Sequence, residues 1–143
     1  MQDTYNHISQ STVRCGSVAM PCGVYIGQDG RHRPTVLSVA GSDSIGGAGI
    51  QADIKACMAL GVFAMTVITA VTAQNTVGVR SYVNIGAESV YAQLNAVFDD
   101  VRPDAVKIGM VPDGSTAAVI AEVLARRYNG PVVLDPVAVA TSG

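Results

Sequence analysis

From Pro34 onward, apolar runs bounded by turn-forming residues alternate with helical patterns. "TVLSVA" at 35–40 is short and β-rich, which predicts a buried strand. In "AGIQADIKACMALG", Ile50, Ile54 and Met58 recur at helical spacing on one face. Gly61 suits the left-handed position just past that helix. "VFAMTVITAVTA" is β-branched and apolar on both faces, as a central parallel strand should be. "GAESVYAQLNAVFDDV" puts Val90, Leu94, Val97 and Val101 on one helical stripe. "DAVKIGM" reads as a third strand, "GSTAAVIAEVLARRYNG" as a third helix closed by Asn129–Gly130, and "PVVLD" as a fourth strand.

The predicted order is β-α-β-α-β-α-β. Crossovers of this length join parallel neighbours by right-handed connections. The expected class is α/β, a parallel sheet with helices on both faces. Ligands in such sheets bind beyond the carboxyl ends of the strands. The unusual residues gather there, at "GSDS", "AQNT", "KIGM" and "DPV". Residues 1–33 are polar and lack sustained periodicity, which predicts a loosely ordered extension ahead of a domain over 34–143; "GVYI" could add a short strand to it. No internal repeat or low-complexity segment interrupts the chain.

Of the 143 residues, 49% are hydrophobic and 14% charged, enough apolar content for a core and too much for disorder. The net charge of −2 comes without a basic stripe, which argues against a nucleic-acid partner. Arg126–Arg127 reads instead as a cationic last turn that complements a helix dipole. No run is long and apolar enough to suggest a membrane span. The N-terminus lacks the layout of a signal peptide, so a cytoplasmic protein is expected. Cys15, Cys22 and Cys57 have no metal-ligand spacing. A zinc set of His7, Cys15, Cys22 and His32 fits no finger pattern, so reduced thiols are expected.

"GSDSIGGAGIQAD", Gly41–Asp53, contains "GAGIQA", which satisfies the dinucleotide pattern G-x-G-x-x-G/A. A Rossmann oxidoreductase also needs the first glycine directly after the strand and an acid at the end of the second strand. Here "SDSIG" intervenes and the second strand ends at Gln74–Asn75, so both requirements fail. The glycines still permit close backbone approach, and a helix start near Ala48 favours an anion or polar group. Gln74 carries a donor and an acceptor on one planar amide, which can match an aminopyrimidine edge or simply bond loop backbone. Met110 offers a soft surface for an aromatic ring or a core contact. Asp135, before Pro136, suits a metal, a phosphate-side role or a turn cap. Lys107 lies inside an apolar strand and should find an acidic partner, in a structural ion pair rather than in catalysis.

Together, "AGSDSIGGAGIQADIKACMALG", "VITAVTAQNT", "VRPDAVKIGM" and "VVLDPVAVATSG" resemble the hydroxymethylpyrimidine/phosphomethylpyrimidine kinases of thiamine biosynthesis, members of the ribokinase-like superfamily. The resemblance runs from Pro34 to Gly143. It implies phosphorylation of 4-amino-5-hydroxymethyl-2-methylpyrimidine and of its monophosphate, with ATP and Mg2+. Some relatives in the superfamily act on pyridoxal. The resemblance carries substrate contacts onto Gly41, Asp53, Gln74, Met110 and Val137: Asp53 toward the hydroxymethyl end, Gln74 toward the ring edge, Met110 toward the ring face. It puts Asp135 on the phosphate and magnesium side. The glycine loop becomes a wall for the alcohol acceptor. The phosphate cradle and the residue that activates the hydroxyl belong to a later half of the family's chains, so residues 34–143 correspond to the substrate-side half. That half is expected to be inactive alone. A pyrimidine-binding module without phosphoryl transfer shares all these contacts and stays open, as does homo-oligomerisation. Ile45 stands where the family's loops commonly carry a small residue, which is tolerable if its side chain faces solvent.

Overall fold

The structure is a computed structural model that describes residues 31–136 and the backbone of two short strands before them. The chain forms two units, Met1–Arg33 and Pro34–Gly143. In the first, β1 (Val13–Cys15) pairs antiparallel with β2 (Val18–Met20). The "GVYI" segment lies outside the described residues.

In the second unit the elements follow as β3 (Thr35–Asp43), α1 (Gly49–Ala59), β4 (Phe63–Asn75), β5 (Gly78–Asn84), α2 (Ala87–Asp100), β6 (Ala105–Ile108), α3 (Gly114–Arg127) and β7 (Val132–Leu134). They form one sheet of order β5-β4-β3-β6-β7. β3, β4, β6 and β7 are parallel, as the crossovers predict. β5 is a correction: it runs antiparallel to β4 at the sheet edge. "GVRSYVN" is exposed along nearly its whole length, so no alternation of apolar and polar positions marked it as a strand.

Side-chain alternation along β3 divides the sheet into two faces. Leu37 and Val39 turn toward α2 and α3 and cluster with Val67, Val106, Val90, Leu94, Ile120 and Val123. Ser38 turns the other way, toward α1, where its hydroxyl meets Asp53. Helices thus cover both faces. Ile50 of α1 is buried, but Met58 is 70% exposed, so the apolar stripe read from the sequence does not reach the helix end. Gly61 takes the left-handed conformation expected of it, with φ +72°. On β7, Val132, Val133 and Leu134 are all exposed.

Arg126 and Arg127 occupy the last turn of α3, and Arg127 pairs with Asp99 at 2.7 Å. At the other end, Asp113 caps the helix. Its Oδ1 accepts from Thr116 N and from Ser115 Oγ, each at 2.7 Å. The bond from the Thr116 amide, helped by Ser115, holds the Asp113 carboxyl down at about 2. Its folded value lies below the ordinary 3.8, so this cap's contribution is full above that value and fades as pH falls through about 2. Asp113→Asn should therefore lower the melting temperature at neutral pH, and its difference from the parent chain should shrink on acidification from pH ~4 toward ~2. Thermal melts at stepped pH read this directly. A difference independent of pH would remove the carboxylate's charge from the cap.

Candidate functional site

The parallel strands share one direction, so their carboxyl ends meet at one edge of the sheet. At this edge β3 runs further than the sequence suggested, through Gly41 and Ser42 to Asp43. Its pairing with β4 shifts register between Ala40 and Ser42, where β4 carries one extra residue opposite Gly41. A second shift lies between Ala73 and Gln74, where β4 meets β5. Both irregularities fall on residues singled out from the sequence, and bulges at strand ends re-aim side chains.

Gly41 is buried, and a Cβ there would lie 3.1 Å from Met110 Sδ. The missing side chain is what lets Met110 lie across the end of β3. The Met110 backbone is held from below: Thr69 Oγ1 donates to its carbonyl at 2.7 Å. Gln74 is fixed through its main chain. Ser44 Oγ donates to Gln74 O at 2.7 Å and accepts from Gln74 N at 3.0 Å. Thr72 Oγ1 lies 3.0 Å from Ser42 O and 3.3 Å from Gln74 Oε1. Gln74 Nε2 donates to no group among the described residues. Gly41, Met110, Ser42, Thr72 and Gln74 thus form one continuous wall.

Asp53, in α1, is met by two residues of the sheet. Lys107 Nζ lies 3.0 Å from its Oδ2 and Ser38 Oγ donates to the same atom at 2.5 Å. This is the acidic partner that the placement of Lys107 demanded. Asp135 continues the ladder of β6 and β7 through its amide, which donates to Ile108 O at 2.8 Å. Its side chain is exposed. No cluster of three or more His, Cys, Asp or Glu side chains suited to a metal occurs among the described residues. A lone carboxylate at a strand end still suits Mg2+, which is commonly bound by one or two carboxylates with phosphates and water completing its shell. Val137 lies outside the described residues.

The glycine loop corrects one expectation. Ile45 N donates to Asp43 Oδ1 at 3.0 Å, and Gly47 N and Ala48 N both donate to Oδ2 at 2.9 Å. Gly46 N donates to the Asp43 carbonyl at 3.0 Å. Four successive amides are therefore taken by one residue of the chain itself. The anion that the start of α1 attracts is the buried Asp43 carboxylate, and these amides are not offered to a phosphate. Gln51 secures the same corner, with Oε1 accepting from Asp43 N at 2.8 Å and Nε2 donating to Ser42 Oγ at 2.7 Å. The role of Asp43 went unread in the sequence. Its signal was an Asp followed by a glycine-rich stretch, the composition of an Asx-type turn. Ile45 is 49% exposed, as the tolerance of a large residue there requires.

Cys57 is half-buried in α1. Burial pushes its thiol up, and the Asp53 carboxylate adds to the effect, which disfavours the reactive thiolate. Of the imagined zinc set, only His32 has a described side chain, and it is exposed. No helix among the described residues is long and apolar enough to cross a membrane.

The family model for phosphomethylpyrimidine kinase matches residues 43–143. The chain is similar to the hydroxymethylpyrimidine/phosphomethylpyrimidine kinase of Rhizobium meliloti (strain 1021), at 59% identity over 107 residues, covering 75% of this chain and 40% of that protein. Among solved structures it is similar to the phosphomethylpyrimidine kinase of Clostridium difficile 630, at 46% identity and a TM-score of 0.73, covering 78% of this chain and 48% of that one. It is also similar to the pyridoxal kinase of Staphylococcus aureus in complex with AMP-PCP and pyridoxal, at 27% identity and a TM-score of 0.66, covering 73% of this chain and 39% of that one. The chain spans less than half the length of each of these relatives. With a ribokinase-like α/β sheet whose loop, bulges and strand ends carry the matched motifs, the chain belongs to the phosphomethylpyrimidine kinase family.

Proposed function

We propose that residues 34–143 form the pyrimidine-binding side of an ATP-dependent kinase acting on 4-amino-5-hydroxymethyl-2-methylpyrimidine and its monophosphate in thiamine biosynthesis. The observation that carries this reading is the wall at the strand ends. Gly41 leaves Met110 lying across β3, and contacts through Ser42 and Thr72 link it to Gln74, whose amide nitrogen is uncommitted among the described residues. A thioether surface suits a flat ring, and an amide suits an edge with adjacent donor and acceptor. Asp53 would receive the hydroxymethyl group, and Val137 would complete the pocket.

The amides closed by Asp43 fit an acceptor-side loop better than a phosphate cradle. The nucleotide, represented by AMP-PCP in the Staphylococcus aureus relative, would then be held mainly by residues outside this chain's matched segment. Phosphoryl transfer depends on positioning and on charge stabilisation around the moving group. Asp135 would hold Mg2+, which when bound neutralises phosphate charge. The wall and Asp53 would orient the acceptor, and the residue that activates its hydroxyl would lie beyond them, so this chain alone is expected not to turn over. Residues 1–33 would be an extension outside the kinase fold.

Calorimetric titration of the hydroxymethylpyrimidine tests the reading. Gln74→Ala should weaken binding by about 1–3 kcal/mol, and Gln74→Glu should also bind poorly because it loses the donor and adds charge. Equal affinities in all three chains would remove Gln74 from the site. Tighter binding of pyridoxal than of the pyrimidine would move the assignment to a pyridoxal-type kinase.

A further inference from the structure

Lys107 and Ser38 are register partners on adjacent strands, β6 and β3. Both reach across to one carboxylate on α1. Lys107 Nζ lies 3.2 Å from Asp53 Oδ1 and 3.0 Å from Oδ2, and Ser38 Oγ donates to Oδ2 at 2.5 Å. Oδ2 thus faces two donors and Oδ1 one. An ionised carboxylate offers about four lone-pair sites, so Oδ1 keeps acceptor capacity.

Space is kept for this arrangement. A Cβ on Gly109 would lie 3.0 Å from Lys107 Nζ and 3.2 Å from Ala40 Cβ, so the bare backbone of Gly109 gives the lysine its path. The pair is not sealed: the side chains of Lys107 and Asp53 are 26% and 21% exposed. A half-open ion pair of this kind contributes little to stability by itself. Its geometric consequence is larger. Two residues of the sheet fix the rotamer of a helix carboxylate and leave Oδ1, which meets one donor, with room to accept another.

We propose that Lys107 and Ser38 are positioning residues that hold Asp53 so that its Oδ1 accepts a hydrogen bond from the substrate's hydroxymethyl group. The inference rests on the proposed function, in which Asp53 meets that group. No proton is transferred to Asp53 in this role. The carboxylate orients the alcohol, and the lysine and serine orient the carboxylate.

The test compares two probes on the 143-residue chain: 4-amino-5-hydroxymethyl-2-methylpyrimidine and 4-amino-2,5-dimethylpyrimidine, which lacks the hydroxyl. Lys107→Met should weaken binding of the first about tenfold, the loss of one charge-assisted hydrogen bond. Binding of the second should stay within about twofold. Ser38→Ala should show the same selectivity with a smaller loss, and it keeps the proposal testable if Lys107→Met does not fold. Equal loss for both probes, or no loss for either, would overturn the proposal while leaving the pyrimidine site in place. Failure of the unsubstituted chain to bind either probe would overturn the proposed function, and this inference with it.

Discussion

Gly49→Ala should destabilise the fold by about 4 kcal/mol or more, near the upper end for a single substitution. Gly49 opens α1 with φ +56°. An L-residue held in the left-handed region costs about 1–2 kcal/mol in backbone energy alone. Steric overlap costs more. A Cβ at this position would lie 2.2 Å from Gly41 O and 3.2 Å from Gly41 C. Both are backbone atoms of β3 at its register shift with β4, so no side-chain rotation relieves the overlap. Either the start of α1 or the end of β3 must move, and β3 is the central strand of the sheet. Gly47→Ala is the control, because a Cβ there meets only Asp43 Oδ2, at 3.8 Å. Urea denaturation of the two variants should give a much lower midpoint for Gly49→Ala than for Gly47→Ala. Similar midpoints would mean that the loop yields easily and that its close approach to β3 is not a constraint.

Asp43→Ala is the second large effect, about 2–4 kcal/mol. Asp43 is 3% exposed, yet its carboxylate accepts from the amides of Ile45, Gly47 and Ala48. Hydrogen bonds to a charged group contribute about 1.5–3 kcal/mol each. Water reaching the loop would recover part of that sum, since Gly47 and Ala48 are exposed. Asp43→Asn should fall between the alanine variant and the parent chain, because one acceptor oxygen remains and the charge near the start of α1 is lost. The alanine variant should also gain a property that the parent lacks. Three freed amides at a helix start form an anion site, so inorganic phosphate should raise its denaturation midpoint more than that of the parent. Equal effects of phosphate on both chains would show that the amides are not freed and that Asp43 does not fill the loop's anion site.

Apolar runs and periodicity located the four parallel strands and the three helices, because β3, β4, β6 and the helices bury a stripe or a face whose spacing is set by backbone geometry, and β7, though exposed, was marked by its short apolar run. Local backbone chemistry was legible for the same reason. Gly61 sits in the left-handed position after α1, and Arg126–Arg127 sit in the last turn of α3. The need of Lys107 for an acidic partner followed from one cation in an apolar strand. Which acid would answer it did not follow, because Asp53 lies 54 residues earlier in the chain and only the stacking of α1 on β3 brings the two together.

The remainder depended on contacts between segments. β5 pairs with β4 through its backbone while exposing its side chains, so its sequence carries no burial pattern. Met58 has helical spacing but lies at the end of α1, where no neighbour among the described residues covers it. The glycine loop read from sequence as a possible anion site; the fold turns Asp43 inward and fills that site with the chain's own carboxylate. Gly41 and Met110 were separate candidates until the register of β3 and β6 placed one against the other. Sequence patterns determine which segments become strands and helices, because those depend on near neighbours. Which polar group meets which is decided by strand order and register, which bring together residues far apart in the chain.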